Sequence, residues 1–576
     1  MEKVVEMGKT SATGSFQLLV GVAASTIIMA VGAIILGRLL TTDEYGLYGI
    51  VVVPSMLIIL FRDWGVNSAM TKYIANFRAS EEDEEIGDFI VAGFIFEVAS
   101  GLVLSFLSLF LASFIASTVF HRPESSFYIA IVSVSIISGS LLTASQSCFV
   151  GFERMELNTF TLVCQAVIKT AVGPSLVLLG FSVLGAVYGY IAGFIAAGII
   201  GLATFYFMLF RPLRKKQTKN SNLAKTLKKM LNYGVPLSIG FIISNVQVQI
   251  YAFIVIPFTT NAIYGNFQTA INFALLLTFF TTPIATVLLP AFAKLDPENE
   301  RELLKTVFTS SVKYTSILVV PATMALMALS GPMIGALFGE KYVYGPFFLT
   351  LYVVSNLLAV VGSLSVTGLL SGLGETNILM KQSIITLIIG IPLSLLLIPT
   401  LGITGLLLTT IFDGVPSLIW VLRWVWRRHG AKPDFQSSAR ILTASTLAAI
   451  PAYVTATFLN KAFEHTVGYY VWPTLKETVR HKALLFHAHA GQILVKYTTV
   501  QAYVPWIELA LGLILFLAIY VLGAPIIGAV SLDDINNLRT MFAGMGVVSK
   551  IINLPLNIAE KAAQTKNQNK KAHKKS

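Results

Sequence analysis

Residues 88–116 read DFIVAGFIFEVASGLVLSFLSLFLASFIA. After Asp88 the run carries a single charge, Glu97, and it is longer than the roughly 20 apolar residues that carry a helix across hydrocarbon. The same pattern recurs on both sides. Fourteen such stretches between Phe16 and Ile527 predict helices over 16–37, 45–64, 88–116, 127–149, 158–179, 183–209, 233–257, 263–289, 314–338, 346–370, 382–399, 402–422, 441–459 and 503–529. Composition agrees, with 55% hydrophobic and 12% charged residues and a mean hydropathy of +0.75. A soluble core does not need apolar segments this long. The chain therefore reads as an all-α polytopic membrane protein of about fourteen transmembrane helices. The first stretch is too long for a signal-peptide core and lacks a small-residue cleavage site, so it reads as a retained helix. Cys148 and Cys164 lie inside apolar segments without metal-ligand spacing and read as packing residues.

The net charge of +12 is distributed as topology rather than as a nucleic-acid surface. With Met1 in the cytoplasm, most of the 41 Lys and Arg fall on the cytoplasmic side, while the six short outer loops hold only Arg38, Arg122 and Lys341. That is the positive-inside pattern, and it predicts a multi-pass protein of the cytoplasmic membrane with both termini cytoplasmic. The Lys-rich tail after Lys566 is expected to touch anionic lipid or to be disordered. Residues 460–502 form a long outer segment, expected to cap the outer face. Its His487 and His489 lack further ligands, so no metal is expected there.

Internal duplication is visible at three landmarks. Thr41-Thr42-Asp43-Glu44-Tyr45-Gly46 recurs loosely as Thr259-Thr260-Asn261-Ala262-Ile263-Tyr264-Gly265. The turn ending at Gly185 recurs at Gly405, and Gly151-Phe152-Glu153 aligns with Gly372-Leu373-Gly374. The offsets are 219, 220 and 221 residues, in order. A repeat spanning six helices keeps both copies in one orientation, which makes it the parallel kind. The expected organisation is an N-lobe over 1–210, a basic cytoplasmic linker over 211–231 with an amphipathic helix around 224–230, and a C-lobe over 232–430. Helices thirteen and fourteen follow over 431–530, then a basic tail over 531–576. A substrate path is expected between the lobes.

Polar groups inside apolar spans carry the candidate chemistry, because hydrocarbon would otherwise reject them. Asn158, Thr161, Gln165 and Lys169 share one face of helix five. Lys169, near mid-membrane, suits a phosphate or acidic head group; the structural alternative is an internal ion pair. Asp413 in helix twelve and Glu97 in helix three are candidate coupling or gating groups, Glu97 for H+ or Na+. Asp413 is read either as a switching partner of Lys169 or as a static contact inside its own lobe. Asn245 and Gln249 in helix seven, and Gln268 and Asn272 in helix eight, are each four apart. Their amides suit sugar hydroxyls and equally suit interhelical hydrogen bonding. Arg38 and Arg62 are further candidate substrate contacts and Asp63 a candidate coupling or gating group; all three sit at helix ends, where interfacial anchoring is the plainer role. The acidic run Glu81–Glu85 reads as a solvated helix start. No histidine lies in a predicted span, and there is no Gly-rich phosphate loop and no nucleotide-binding domain. A non-enzymatic protein without cofactor or metal is expected.

Several segments resemble the polysaccharide-biosynthesis flippases of the multidrug/oligosaccharidyl-lipid/polysaccharide exporter superfamily. They are Ile35-Leu36-Gly37-Arg38-Leu39-Leu40 with Glu44-Tyr45-Gly46-Leu47-Tyr48, Asp63-Trp64-Gly65 with Thr71-Lys72-Tyr73-Ile74-Ala75, Tyr233-Gly234-Val235-Pro236-Leu237, Phe338-Gly339-Glu340-Lys341-Tyr342, and Ile398 to Gly405. The resemblance covers roughly 10–430, and Arg38 and Arg62 fall within its motifs. It implies two six-helix lobes around a central, often cationic cavity. It also implies alternating access that moves a polyprenyl phosphate- or pyrophosphate-linked oligosaccharide between leaflets. Where many relatives carry an acid in helix seven, this chain reads Ser244-Asn245-Val246-Gln247-Val248-Gln249. A lipid-linked oligosaccharide flippase, acting as a monomer among membrane lipids, is the leading expectation. An ion-coupled multidrug or organic-cation exporter of the same superfamily is the alternative. A membrane glycosyltransferase or polymerase would need outer acids, for which only Glu464 and Glu477 of the long loop are available.

Overall fold

The computed structural model describes residues 2–80, 83–213, 223–470, 503–541 and 547–573, and no strand occurs among them. Ten of the described helices are long and apolar enough to cross a membrane, or up to twelve if each of two bent pairs is one span. The chain is a multi-pass α-helical membrane protein. The expected fourteen spans divide the chain differently. Residues 155–210 pass as one run of 56 residues. That run nevertheless reverses where Gly180 (φ 93) and Ser182 (φ 49) take left-handed conformations.

By packing, the chain forms two compact units, Met1–Gln268 with Ile391–Leu406, and Thr269–Gly390 with Leu407–Ser576. The first holds α1 (Glu2–Leu39), α2 (Thr42–Ile59), α3 (Val66–Ala79), α4 (Asp83–Phe114), α5 (Ser126–Val132), α6 (Val134–Gly151), α7 (Met155–Leu176), α8 (Ser182–Phe205) and α9 (Leu223–Val255), and the start of α10 (Asn261–Ala293). The second is dominated by α11 (Arg301–Ala328), α12 (Ser330–Leu337), α13 (Gly345–Val354), α14 (Ser363–Gly372), most of α15 (Thr376–Leu401) and α16 (Ile403–Phe412), then α17 (Gly414–His429), α18 (Phe435–Tyr470), α19 (Val504–Ile527), α20 (Leu532–Met541) and α21 (Val547–His573).

Several elements depart from the sequence expectation. The segment around 224–230 is no separate surface helix; it is the first two turns of α9. The expected single helix over 402–422 lies within one span, Ile403–His429, in which α16 and α17 meet at Asp413 with helical backbone angles. The outer segment expected to begin at 460 is helical to Tyr470, so Glu464 sits on α18. Residues 471–502, with Glu477, His487 and His489, lie outside the described residues, as do 214–222 of the basic linker and Glu81–Glu82 of the acidic run. Before Lys566 the expected tail packs against the unit. Leu556, Ala559 and Ala563 of α21 join one apolar cluster with Ala524 of α19 and Ile535 and Leu538 of α20. Arg539 of α20 pairs with Glu560 of α21 at 2.8 Å. An apolar stripe on a lysine-rich segment is enough to dock it.

Packing in the first unit is set by small residues, as expected where water cannot drive helices together. A Cβ on Gly21 or Gly32 would strike Thr159 or Thr170 of α7. The hydroxyls of these threonines donate back to the carbonyls of Gln17 and Ile28, both at 3.1 Å. Both contacts keep one residue offset, so α1 and α7 run parallel. Between α7 and α8 the register inverts: Gly185 meets Val177, Gly189 meets Gly173, and Gly193 meets Lys169. As one number rises by four the other falls by four, which is an antiparallel hairpin.

The Thr41–Glu44 motif is a capping box for α2. The Glu44 N–H donates to Thr41 Oγ1 at 3.2 Å and the Thr41 N–H donates to Glu44 Oε2 at 2.8 Å. One turn on, Gly46 packs on the backbone of Asn261, and Gly265 packs on the backbone of Thr42. The contact is reciprocal and leaves no room for either Cβ. A Gly46→Ala substitution should therefore lower stability by about 1–3 kcal/mol, read as a lower unfolding midpoint in detergent. Gly523→Ala, whose added Cβ meets nothing within 4 Å, should melt no lower than wild type. Equal midpoints for the two variants would contradict the close crossing.

Candidate functional site

At the end of the first unit where α2 stops, Asp63-Trp64-Gly65 turns the chain into α3. Trp64 (φ 47) and Gly65 (φ 76) are both left-handed. A Cβ on Gly65 would meet the backbone of Gly234 in α9, so this turn also sets how closely α9 approaches. The turn aims Arg62 inward, where it is 5% exposed. Its Nε lies 3.3 Å from Oε2 of Glu97, itself 0% exposed in α4. The distance is that of an ion pair, but the angle lies outside hydrogen-bond geometry. Arg62 Nη2 donates to Thr143 Oγ1 at 2.7 Å and Nη1 to the Ile136 carbonyl at 3.4 Å. Gly139 leaves the space that Nη1 occupies, because a Cβ there would lie 3.0 Å from it.

Asn67 completes the group. Its Nδ2 donates to Glu97 Oε1 at 2.9 Å, while its backbone N–H donates to Asp63 Oδ1 at 2.8 Å. Three sequence candidates, Arg62, Asp63 and Glu97, thus meet in one buried cluster. In this arrangement the Arg62 guanidinium is engaged by protein groups on every side.

The helix-five stripe divides in two. Asn158 and Thr161 are buried; Thr161 Oγ1 donates to the Asn158 carbonyl at 2.8 Å and accepts from Gln146 Nε2 at 3.3 Å. These two bind helices together. Gln165 and Lys169 are half-buried. Lys169 Nζ stands 4.9 Å from the ring centre of Tyr190, a residue of α8 that is 4% exposed. Its stem fits because a Cβ on Gly193 would come within 2.9 Å of Lys169 Cβ. Among the described residues Lys169 has no ion-pair partner. A ring face thus meets this cation inside an apolar span, where an isolated charge is costly.

The remaining candidates are dispersed. Arg38 is half-buried at the end of α1. Asn245 Nδ2 donates at 2.8 Å to the Phe241 carbonyl of its own helix. Gln249 is half-buried on α9. The Gln268 carbonyl oxygen lies by Gly49, 3.2 Å from where a Cβ there would sit. Asn272 and the buried Asp413 belong to the second unit.

Two groups escaped the sequence reading. Glu508 of α19 is 1% exposed and helps line a cavity of about 810 Å³ in the second unit, with Glu340, Tyr342 and Thr350. The rule that singled out Glu97, an acid inside an apolar span, would have found it. Arg122, read as a loop charge, donates to Asn261 Oδ1 and the Ile256 carbonyl at 2.8 Å each, to the Phe120 carbonyl at 3.1 Å, and to the Thr259 carbonyl. It ties the turn before α5 to the turn between α9 and α10. Nothing in hydropathy could have signalled that.

A sequence profile described as polysaccharide biosynthesis protein matches residues 35–344. A probable low-salt glycan biosynthesis flippase, Agl15, of Haloferax volcanii is 23% identical over 48% of this chain and 54% of its own length. The chain thus spans about half the length of that relative. A probable lipid II flippase MurJ of Rhizobium meliloti is 23% identical over 58% of this chain and 62% of its own length. Among solved structures, lipid II flippase MurJ in an inward closed conformation superposes with a TM-score of 0.62 at 16% identity, covering 87% of this chain and 97% of that one. An inward-facing multidrug resistance transporter of the MATE family gives a TM-score of 0.59 at 16% identity, covering 70% and 94%. The fold is the one these transporters share.

Removing one partner of a buried ion pair leaves the other charge uncompensated, at a cost of about 3–5 kcal/mol. Arg62→Leu and Glu97→Leu should each lower the detergent unfolding midpoint sharply. The double variant should lose less than the two losses combined, as a double-mutant cycle reads directly. Additive losses would contradict the pairing.

Proposed function

The chain belongs to the polysaccharide biosynthesis protein family, and from that premise we propose that it is a flippase. The cargo is a polyprenyl phosphate- or pyrophosphate-linked oligosaccharide, moved across the cytoplasmic membrane by alternating access. Lys169 carries this reading. It is a cation inside an apolar helix hairpin, seated on Tyr190, with no ion-pair partner among the described residues and with the Gln165 amide one turn away. A lipid-linked glycan presents phosphate charge and many hydroxyls. Stranding these in hydrocarbon costs several kcal/mol apiece, which a cation and amides offset. The names of the relatives point the same way.

The reciprocal contacts of Gly46 and Gly265 support two copies of one repeat related by an axis between them. The positive-inside pattern places the Arg62 end at the cytoplasm and the Arg122 end outside. Glu97, beside Asp63 and Arg62, is the proposed coupling or gating group. The MATE-like fold keeps one second reading open, export of organic cations. Lys169 opposes it, because a cation repels a cationic cargo.

The test is the lipid-linked glycan pool of cells lacking this gene. One lipid-linked glycan should accumulate and be cleared by wild type. Losing a charge-assisted contact of roughly 1.5–3 kcal/mol should leave Lys169→Ala about ten- to a hundredfold slower, while Lys169→Arg retains more activity than Lys169→Ala. Full clearance by Lys169→Ala would remove Lys169 from transport. An unchanged pool in the deletion strain would overturn the flippase itself.

A further inference from the structure

At the Arg62 end of the first unit, α3, α4 and α9 meet on an aromatic cluster. The Tyr73 ring lies 4.6 Å from Phe89 and 6.2 Å from both Phe77 and Tyr233, centre to centre. Phe77 and Phe89 are buried, while Tyr73 and Tyr233 are half-buried. Two exposed lysines from different helices converge on these rings. Lys72 Nζ lies 3.8 Å from the centre of Tyr233 and 5.5 Å from Tyr73. Lys229 Nζ lies 4.9 Å from Tyr73, 5.4 Å from Phe89 and 5.7 Å from Phe77. The close backbone contact of Gly65 with Gly234 fixes α3 against α9, and so fixes both lysine stems relative to one another.

Three features separate this pair from an ordinary basic surface. Each ammonium is held over an aromatic face, which restrains an otherwise flexible side chain. Among the described residues neither has an ion-pair partner. The neighbouring cation on α3, Arg78, is already committed to the carbonyl of Phe152. Two positive charges held over an apolar aromatic platform, neither with an ion-pair partner among the described residues, match a doubly charged group carried on a hydrocarbon chain.

We infer that Lys72 and Lys229, held on the Tyr73–Tyr233 ring pair, form a binding site for the phosphate or diphosphate headgroup of a lipid. That the lipid is the transported cargo rests on the flippase reading; that the site takes a lipid phosphate does not.

The test uses the full-length protein in phosphatidylcholine nanodiscs, with equilibrium binding of labelled farnesyl diphosphate. Wild type should bind it, and farnesol should not compete. The K72Q/K229Q double variant should bind at least about tenfold more weakly. The K72R/K229R variant should retain binding, and Lys228→Gln, an exposed neighbour on α9, should match wild type. Tyr233→Leu keeps both charges and should still weaken binding, because the ring that holds Lys72 is gone. Competition by added phosphatidylglycerol would assign the site to bulk anionic lipid. Competition by inorganic pyrophosphate with none by phosphatidylglycerol would assign it to the diphosphate. Unaltered binding in K72Q/K229Q, an equal loss in Lys228→Gln, or full competition by farnesol would overturn the site. If binding behaves as expected while the deletion strain shows no change in its lipid-linked glycans, the phosphate site stands and the flippase reading falls.

Discussion

Hydrocarbon offers no hydrogen-bond partner, and the interior of the first unit is arranged around that constraint. Several polar groups there are met by other polar groups at short range. Arg62 is met by Glu97, Thr143 and the Ile136 carbonyl. Thr159 and Thr170 donate to carbonyls of α1. Thr161 is held by Asn158 and Gln146. Lys169 differs: a ring face meets its charge, and among the described residues it has no ion-pair partner.

Small residues make the arrangement attainable. Three glycines spaced by four on α8 let α7 lie against it closely enough for the Lys169 stem to pass. Gly139 opens the space for the Arg62 guanidinium, and Gly65 allows the turn that points Arg62 inward. Gly46 and Gly265 do the same where α2 crosses the start of α10. Between these crossings, Arg122 clasps three backbone carbonyls and Asn261. Its contacts are at the opposite end of α2 from Arg62, so the unit is fastened at both ends by a single guanidinium each.

Much of this was legible in the residues, and the missing parts share a cause. Hydropathy reports how long a segment stays apolar, so the membrane class and the interior charges Glu97, Lys169 and Asp413 could be read directly. It says nothing of lateral neighbours, so the meeting of Arg62 and Asp63 of one turn with Glu97 of α4 had no signature. Helix ends were misjudged where polar residues continue a helix beyond the apolar stretch, as at α1, the start of α9 and the end of α18. The stretch before Lys566 was read only as part of a basic tail, while its Leu556, Ala559 and Ala563 join an apolar cluster. Arg122 was weighed as one charge in a loop tally, and its donor geometry toward carbonyls lies outside any such tally.

Reconstitution tests the central claim most directly. Purified protein in liposomes would be supplied with a fluorescent short-chain polyprenyl diphosphate disaccharide on both leaflets. A membrane-impermeant quencher would then report the outer-leaflet fraction over time. The account predicts protein-dependent movement between leaflets until the whole pool becomes quenchable, with an organic-cation dye left where it was. A labelled pool that stays divided between leaflets, alongside protein-dependent transport of the cationic dye, would contradict it.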